Sequence, residues 1–146
     1  EIRKALKRKG LIEEISFKTK LRGAPSRFLK LIEKNEYGRG QFVHTFWVEQ
    51  VFKYLKEQGL DPKKEYKIED KIADIAYFEN GELILVEVEY KSDWKSNILR
   101  ASKMCDKLVS VLIREKDVVE AVNFLKKHNL QNVVVTDAYY FDRVVP

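Results

Sequence analysis

The residues best suited to chemistry lie in one short stretch, Leu83-Ile84-Leu85-Val86-Glu87-Val88-Glu89-Tyr90-Lys91. Side chains alternate across a strand, so Ile84, Val86, Val88 and Tyr90 share one face, while Leu83, Leu85, Glu87, Glu89 and Lys91 share the other. The second face begins apolar and ends in three ionisable groups. The strand therefore leaves a core and enters a polar site halfway along. Two carboxylates at i and i+2 repel, and burying either without a partner is costly. A divalent cation between them removes that cost. The preceding run, Ile72-Ala73-Asp74-Ile75-Ala76-Tyr77-Phe78, sets Asp74 among apolar residues, and the hairpin turn Glu79-Asn80-Gly81 makes the two strands neighbours. Asp74 and Glu87 are thus expected side by side. Carboxylate oxygens converging from adjacent strands suit Mg²⁺ or Mn²⁺, with waters completing the shell. Such an ion polarises a phosphate and lowers the pKa of a bound water, and a nearby Lys orients that water or offsets developing charge. This is the minimum apparatus for phosphodiester hydrolysis. The competing reading leaves Glu87 and Glu89 on a solvated strand end, paired with Lys91 and Lys95.

The elements that must position these groups follow from periodicity. Phe42, Phe46, Val48, Val51, Phe52 and Leu55 recur at helical spacing, and Gly59 ends the pattern, which predicts a helix over about 41–58. A first strand is expected over 67–69, a second over 72–78 and a third over 83–90. Residues 94–105 form a helix, 108–113 a buried strand, 118–127 a helix, and 132–136 a last strand, apolar as a parallel strand covered on both faces should be. The order is αβββαβαβ, an α/β fold. Ahead of it, residues 2–9 read as a basic helix stopped by Gly10, followed by a hairpin whose strands lie on either side of the turn Arg22-Gly23-Ala24-Pro25. Residues 35–40 read as a linker. The expected division is residues 1–36, a basic helix and hairpin, and residues 40–146, the α/β domain.

The charge is partitioned in the same way. The 146 residues carry a net charge of +5. Residues 1–40 hold 12 Lys and Arg against 5 Asp and Glu, whereas residues 41–146 hold 16 against 18. A basic block ahead of a nearly neutral body suits a polyanion, and nucleic acid is the commonest one. Arg3, Lys4, Lys7, Arg8, Lys9, Arg22, Arg27 and Arg39 are the expected contacts to a DNA backbone. Cys105 is the single cysteine, which excludes an intramolecular disulfide and a thiolate zinc cluster and points to a reducing, cytoplasmic setting. Apolar runs are too short to span a membrane, so no membrane partner is expected. The chain opens at Glu1 with no signal-peptide pattern, and is read as part of a longer protein. Trp47 is expected in the core, Trp94 is a candidate for stacking on bases, and a second copy of the chain is a candidate partner.

The order of these motifs resembles the PD-(D/E)XK nuclease superfamily, the restriction-endonuclease-like fold that includes archaeal Holliday-junction resolvases. The resemblance runs from Gly40 to Thr136 and rests on Gly40-Gln41-Phe42-Val43-His44, Ile72-Ala73-Asp74 and Val86-Glu87-Val88-Glu89-Tyr90-Lys91 within αβββαβ. It implies a mixed sheet flanked by helices, Mg²⁺ or Mn²⁺ as cofactor, Asp74 and Glu87 as metal ligands with the Val88 carbonyl, and cleavage of DNA. Two positions depart from the pattern. Glu89 stands where the superfamily usually has Lys, so Lys91 or Lys103 is left to supply the cation, Lys91 being favoured because it points the same way as the carboxylates. His44 stands where resolvase-like members carry a Glu, and is a candidate ligand for Mn²⁺. The N-terminal helix and hairpin resemble the last half of a winged-helix DNA-binding domain, an arrangement similar to plasmid or viral replication proteins. The alternative function is accordingly a nuclease-fold protein that binds DNA in replication or regulation without cutting it.

Overall fold

The computed structural model describes residues 12–20, 25–31 and 39–145. The chain divides into two compact units, residues 1–43 and 44–146. In the first, β1 (Ile12–Phe17) and β2 (Ser26–Leu31) form the expected antiparallel hairpin, in register from Ile12↔Leu31 to Phe17↔Ser26. Phe17 stacks on Phe28 with ring centroids 4.8 Å apart, and Phe42 closes the aromatic cluster. The basic helix expected over 2–9, and Arg3, Lys4, Lys7, Arg8, Lys9 and Arg22, lie outside the described residues. Arg27 and Arg39 belong to β2 and the following helix, where only their backbone is described.

The second unit is a mixed α/β fold. Helix α1 (Arg39–Glu57) leads into β3 (Lys63–Ile68), β4 (Lys71–Glu79) and β5 (Glu82–Glu89), then α2 (Trp94–Ala101), β6 (Lys107–Leu112), α3 (Glu115–Lys127) and β7 (Val133–Asp137). The five strands lie in chain order, β3 to β5 antiparallel and β5 to β7 parallel. The tight β4–β5 turn needs left-handed backbone at two successive residues, and Asn80 (φ 53) and Gly81 (φ 80) supply it. The αβββαβαβ order agrees with the sequence reading. Helix α2 is shorter than expected, ending at Ala101. A closing 3-10 helix, Ala138–Arg143, is held by the Asp137 carboxylate, which accepts the backbone N–H groups of Tyr139 and Tyr140.

Both faces of the sheet are covered. On one, Ala73, Ala76, Leu85, Leu108, Leu112 and Val133 pack with Trp94, Ile98 and Ala101 of α2 and Ala121 of α3. On the other, Ile75, Tyr77, Ile84, Val86, Val88, Val109 and Val111 are buried. The stripe Trp47, Val51 and Leu55 on α1 is buried too, and α1 meets the C-terminal turn through Trp47–Tyr139 and Tyr54–Phe141 ring contacts. Trp47 is thus core, as expected. Trp94 is core as well, at 8% exposure against Phe124, which removes it as a stacking platform for bases. Cys105 donates its S–H to the Ala101 carbonyl, and burial pushes the thiol up to about 11, so it packs rather than reacts. Among the described residues no helix is long and apolar enough to cross a membrane.

Candidate functional site

The site forms where the β4–β5 ladder stops. Pairing runs from Glu79↔Glu82 to Ile75↔Val86 and goes no further. Beyond that point the Asp74 side chain replaces the ladder, its Oδ2 accepting the Val88 N–H at 2.8 Å. The same oxygen lies 3.2 Å from His44 Nε2, reaching in from the first turns of α1. On the opposite edge of β4 the ladder also skips Asp74: Glu65, which the register would set across from it, is unpaired at φ 51. With neither edge held, alternation slips by one residue. Ala73 and Ala76, three apart, pack into the same cluster.

That slip brings Lys71 onto the Glu87 side. Lys71 is 9% exposed, and its Nζ sits 3.3 Å from Glu87 Oε1. This is an ion pair without hydrogen-bond alignment, for Glu87 Oε1 has no hydrogen-bond partner. Burial, reinforced by the Asp74 charge, pushes the Glu87 carboxyl up to about 8, and Lys71 only partly opposes it. Glu89 is buried as well and raised for that reason first, against the pull of its donors. Those donors are the Ser92 hydroxyl and the Asn97 amide of α2, which reaches both Glu89 oxygens at 3.1 and 3.0 Å. His44 is raised chiefly by its hydrogen bond to Asp74, with burial working the other way. One buried hydroxyl adjoins the cluster. Ser110 lies opposite Glu87 in the β5–β6 ladder, fully buried, its Oγ without a partner.

The structure therefore brings Asp74, Glu87, Glu89 and His44 to one end of the sheet, and it buries the glutamates instead of leaving them on a solvated strand end. Lys91 is the exception. β5 ends at Glu89, so the alternation that aimed Lys91 at the carboxylates does not extend to it. Lys91 falls in a bend at φ 55, exposed, with Nζ 5.3 Å from the Tyr90 ring centroid. The cation at the carboxylates is Lys71, and Lys103 lies apart, beyond the C-terminal end of α2. Lys71 was missed because strict alternation in β4 puts it on the face opposite Asp74. Its one signal is a lysine opening a strand that, Asp74 aside, is apolar or aromatic up to Phe78.

Asp74 and Glu87 offer hard oxygen donors of the class a divalent cation takes, with Glu87 Oε1 already facing the Lys71 ammonium at 3.3 Å. Among the described residues, however, no group of three or more His, Cys, Asp or Glu side chains is arranged to hold a metal ion. Mg²⁺ commonly uses only one or two carboxylates, with water and substrate phosphate for the rest. His44 enters the cluster as a hydrogen-bond donor to Asp74, and its Nε2 is committed there. No protein-family model matches the chain, and no curated protein is significantly similar to it.

Proposed function

We propose that the chain is a metal-dependent DNA endonuclease of the restriction-endonuclease-like, PD-(D/E)XK type. The observation that carries this reading is the break in the β4–β5 ladder, which gathers Asp74, Glu87 and Lys71 at one end of a mixed sheet. Asp74 and Glu87 would hold Mg²⁺ or Mn²⁺, which when bound supplies the positive charge that polarises the scissile phosphate. The Val88 N–H and His44 fix the Asp74 carboxylate in one orientation. Asn97 and Ser92 hold Glu89 against the wall of the site. Lys71 is the built-in cation that offsets charge developing on the phosphate. The β1–β2 hairpin and the basic residues around it would hold the DNA backbone, in the manner of a winged helix.

The occupied state of Glu89 favours the second reading, a DNA-binding protein of the same fold that does not cut. Incubation with supercoiled, linear and single-stranded DNA in Mg²⁺ or Mn²⁺, beside Asp74→Asn and Glu87→Gln, separates the two. Cutting that both variants abolish is the expected result. Binding without cutting at any metal concentration overturns the nuclease reading in favour of the second.

A further inference from the structure

Helix α2 has a second working side. Asn97 turns toward Glu89, while Ser96, Leu99 and Arg100 of the same helix, with Lys103 and Met104 just beyond it and Glu69 from the β3–β4 turn, line a cleft of about 510 Å³. Arg100 is held across the mouth of that turn. Its Nη2 donates to the Asp70 carboxylate at 3.1 Å and lies 3.3 Å from the Asp70 carbonyl. A guanidinium carries five N–H donors in a rigid fork, so this clamp orients the group and leaves further donors for an anion. Lys103 is exposed and has no ion pair or hydrogen bond among the described residues. Arg100 and Lys103 supply donors for an anion, and Glu69 in the lining and Asp70 beside it balance their charge. Leu99 and Met104 give the cleft an apolar wall, and Met adapts readily to a flat ring.

We propose that this cleft is a subsite for one unpaired nucleotide of the DNA strand. Arg100 and Lys103 take its phosphate, and Leu99 and Met104 face its base. The volume lies within the range of small-ligand pockets. A base stacked inside a duplex cannot enter such a cleft without paying a few kcal/mol of unstacking, so the cleft selects single strands, flaps or frayed ends. The inference rests on the nuclease reading for its substrate class. It adds which part of that substrate is bound, and where. Asn97 and Arg100 are three residues apart, a rise of about 4.5 Å, so a strand lying in the cleft passes close to the carboxylate cluster.

The test is fluorescence anisotropy of the full chain with a labelled 12-nucleotide single strand and the matching blunt duplex, over a range of salt concentrations. Arg100→Ala/Lys103→Ala and the exposed charge reversal Lys103→Glu are compared with the parent. The parent is expected to prefer the single strand. The double variant should lose about tenfold in single-strand affinity, and the slope of log K against log salt should fall by about 0.7, from the one phosphate no longer neutralised. Lys103→Glu, which leaves packing untouched, should lose at least as much as removal of that lysine alone. Equal parent affinity for duplex and single strand, or variants that bind single strands as the parent does, overturns the proposal. The two readings fail separately. Absence of cutting with single-strand binding that still depends on Arg100 and Lys103 sinks the nuclease and keeps the cleft, while metal-dependent cutting indifferent to both residues does the reverse.

Discussion

Replacing Glu87 by Gln removes a charge that the fold resists. The side chain is 6% exposed, and burial together with the Asp74 charge pushes its carboxyl from 4.5 up to about 8. In the unfolded chain the group ionises near its ordinary value, so between about pH 4.5 and 8 the folded state keeps a proton that the unfolded state releases. The stability linked to Glu87 is therefore fully present below pH 4.5 and is lost as pH rises through the folded value. At about 1.4 kcal/mol per pH unit, the loss is about 3 kcal/mol by pH 7 and about 5 kcal/mol above pH 8. That is a large part of the roughly 5–15 kcal/mol that holds a typical domain together. His44 runs in the same direction. Asp74 raises it, so its contribution is complete below the unfolded value of 6.5 and disappears as pH climbs through the folded one. Glu87→Gln should leave the His44 part in place and abolish the larger one. Where Glu87 is neutral, Lys71 faces an uncharged partner in both proteins, so the substitution shows as a change of slope. Urea titrations in EDTA, followed by fluorescence of the buried Trp47 and Trp94, measure this directly. Relative to the parent, the variant should gain about 4 kcal/mol between pH 5 and 8.5. Mn²⁺ at about a hundred times its dissociation constant should then return about 2.7 kcal/mol to the parent at pH 8, and nothing to the variant. Parallel pH curves for the two proteins would refute the reasoning, because they would mean that Glu87 ionises as freely in the fold as outside it.

Three further substitutions probe the same strands. Lys71→Met should cost less than about 1 kcal/mol at pH 6, where Glu87 is neutral, and about 3 kcal/mol at pH 9, where an ionised buried carboxylate is left unpaired; denaturant titration at the two pH values checks it. Ser110→Ala should be neutral or stabilising by up to about 1 kcal/mol in thermal unfolding without metal, since the hydroxyl it removes is buried and unpartnered; a loss above about 1 kcal/mol would show that Ser110 bonds to something in solution. Gly81→Ala should destabilise by about 1 kcal/mol. Gly81 sits at φ 80 with nothing within 4 Å of an added Cβ, so the cost is conformational alone, and denaturant titration of the two proteins reads it.

The order of elements was legible because each run kept one period. α1 carries its apolar stripe at helical spacing, and the continuous apolar runs of β6 and β7 mark strands covered on both sides. A polar site at the end of β5 was legible too, from two acids following apolar residues on one face, whereas the burial of both glutamates there was not. The details that failed did so where local rules meet tertiary ones. Lys91 was assigned by extending alternation past the point where β5 ends, and no periodicity marks that end, because Tyr90 and Lys91 continue the pattern. Lys71 was lost to the slip at Asp74. In Ala73-Asp74-Ile75-Ala76 an alanine stands on each side of the slip, and alanine is small enough to fit either face, so the pattern reads equally well in both phases. Asn97 holds Glu89 only because α2 folds back over β5, a tertiary fact that no local pattern carries.

The slip at Asp74 also bears on what the site is for. It gives up ladder pairing on both edges of β4, places a lysine in the interior and leaves Glu87 Oε1 and Ser110 Oγ without hydrogen bonds. Each of these costs stability, and an apolar strand of the same volume would avoid all of them, since replacing a buried ion pair with well-packed hydrophobic residues is often neutral or stabilising. Among the described residues the Tyr77 hydroxyl and the Trp47 indole N–H are buried without partners elsewhere, but the lost ladder pairs, the buried lysine and the orphaned Glu87 and Ser110 oxygens adjoin one another, around a carboxyl whose charge burial suppresses. Local rules broken together at one place mark a functional site more reliably than any one of them alone. Lys71 fits the same logic. Its Nζ lies 3.3 Å from Glu87 Oε1 without a hydrogen bond to it, so on the proposed reading a divalent ion would have none to break there.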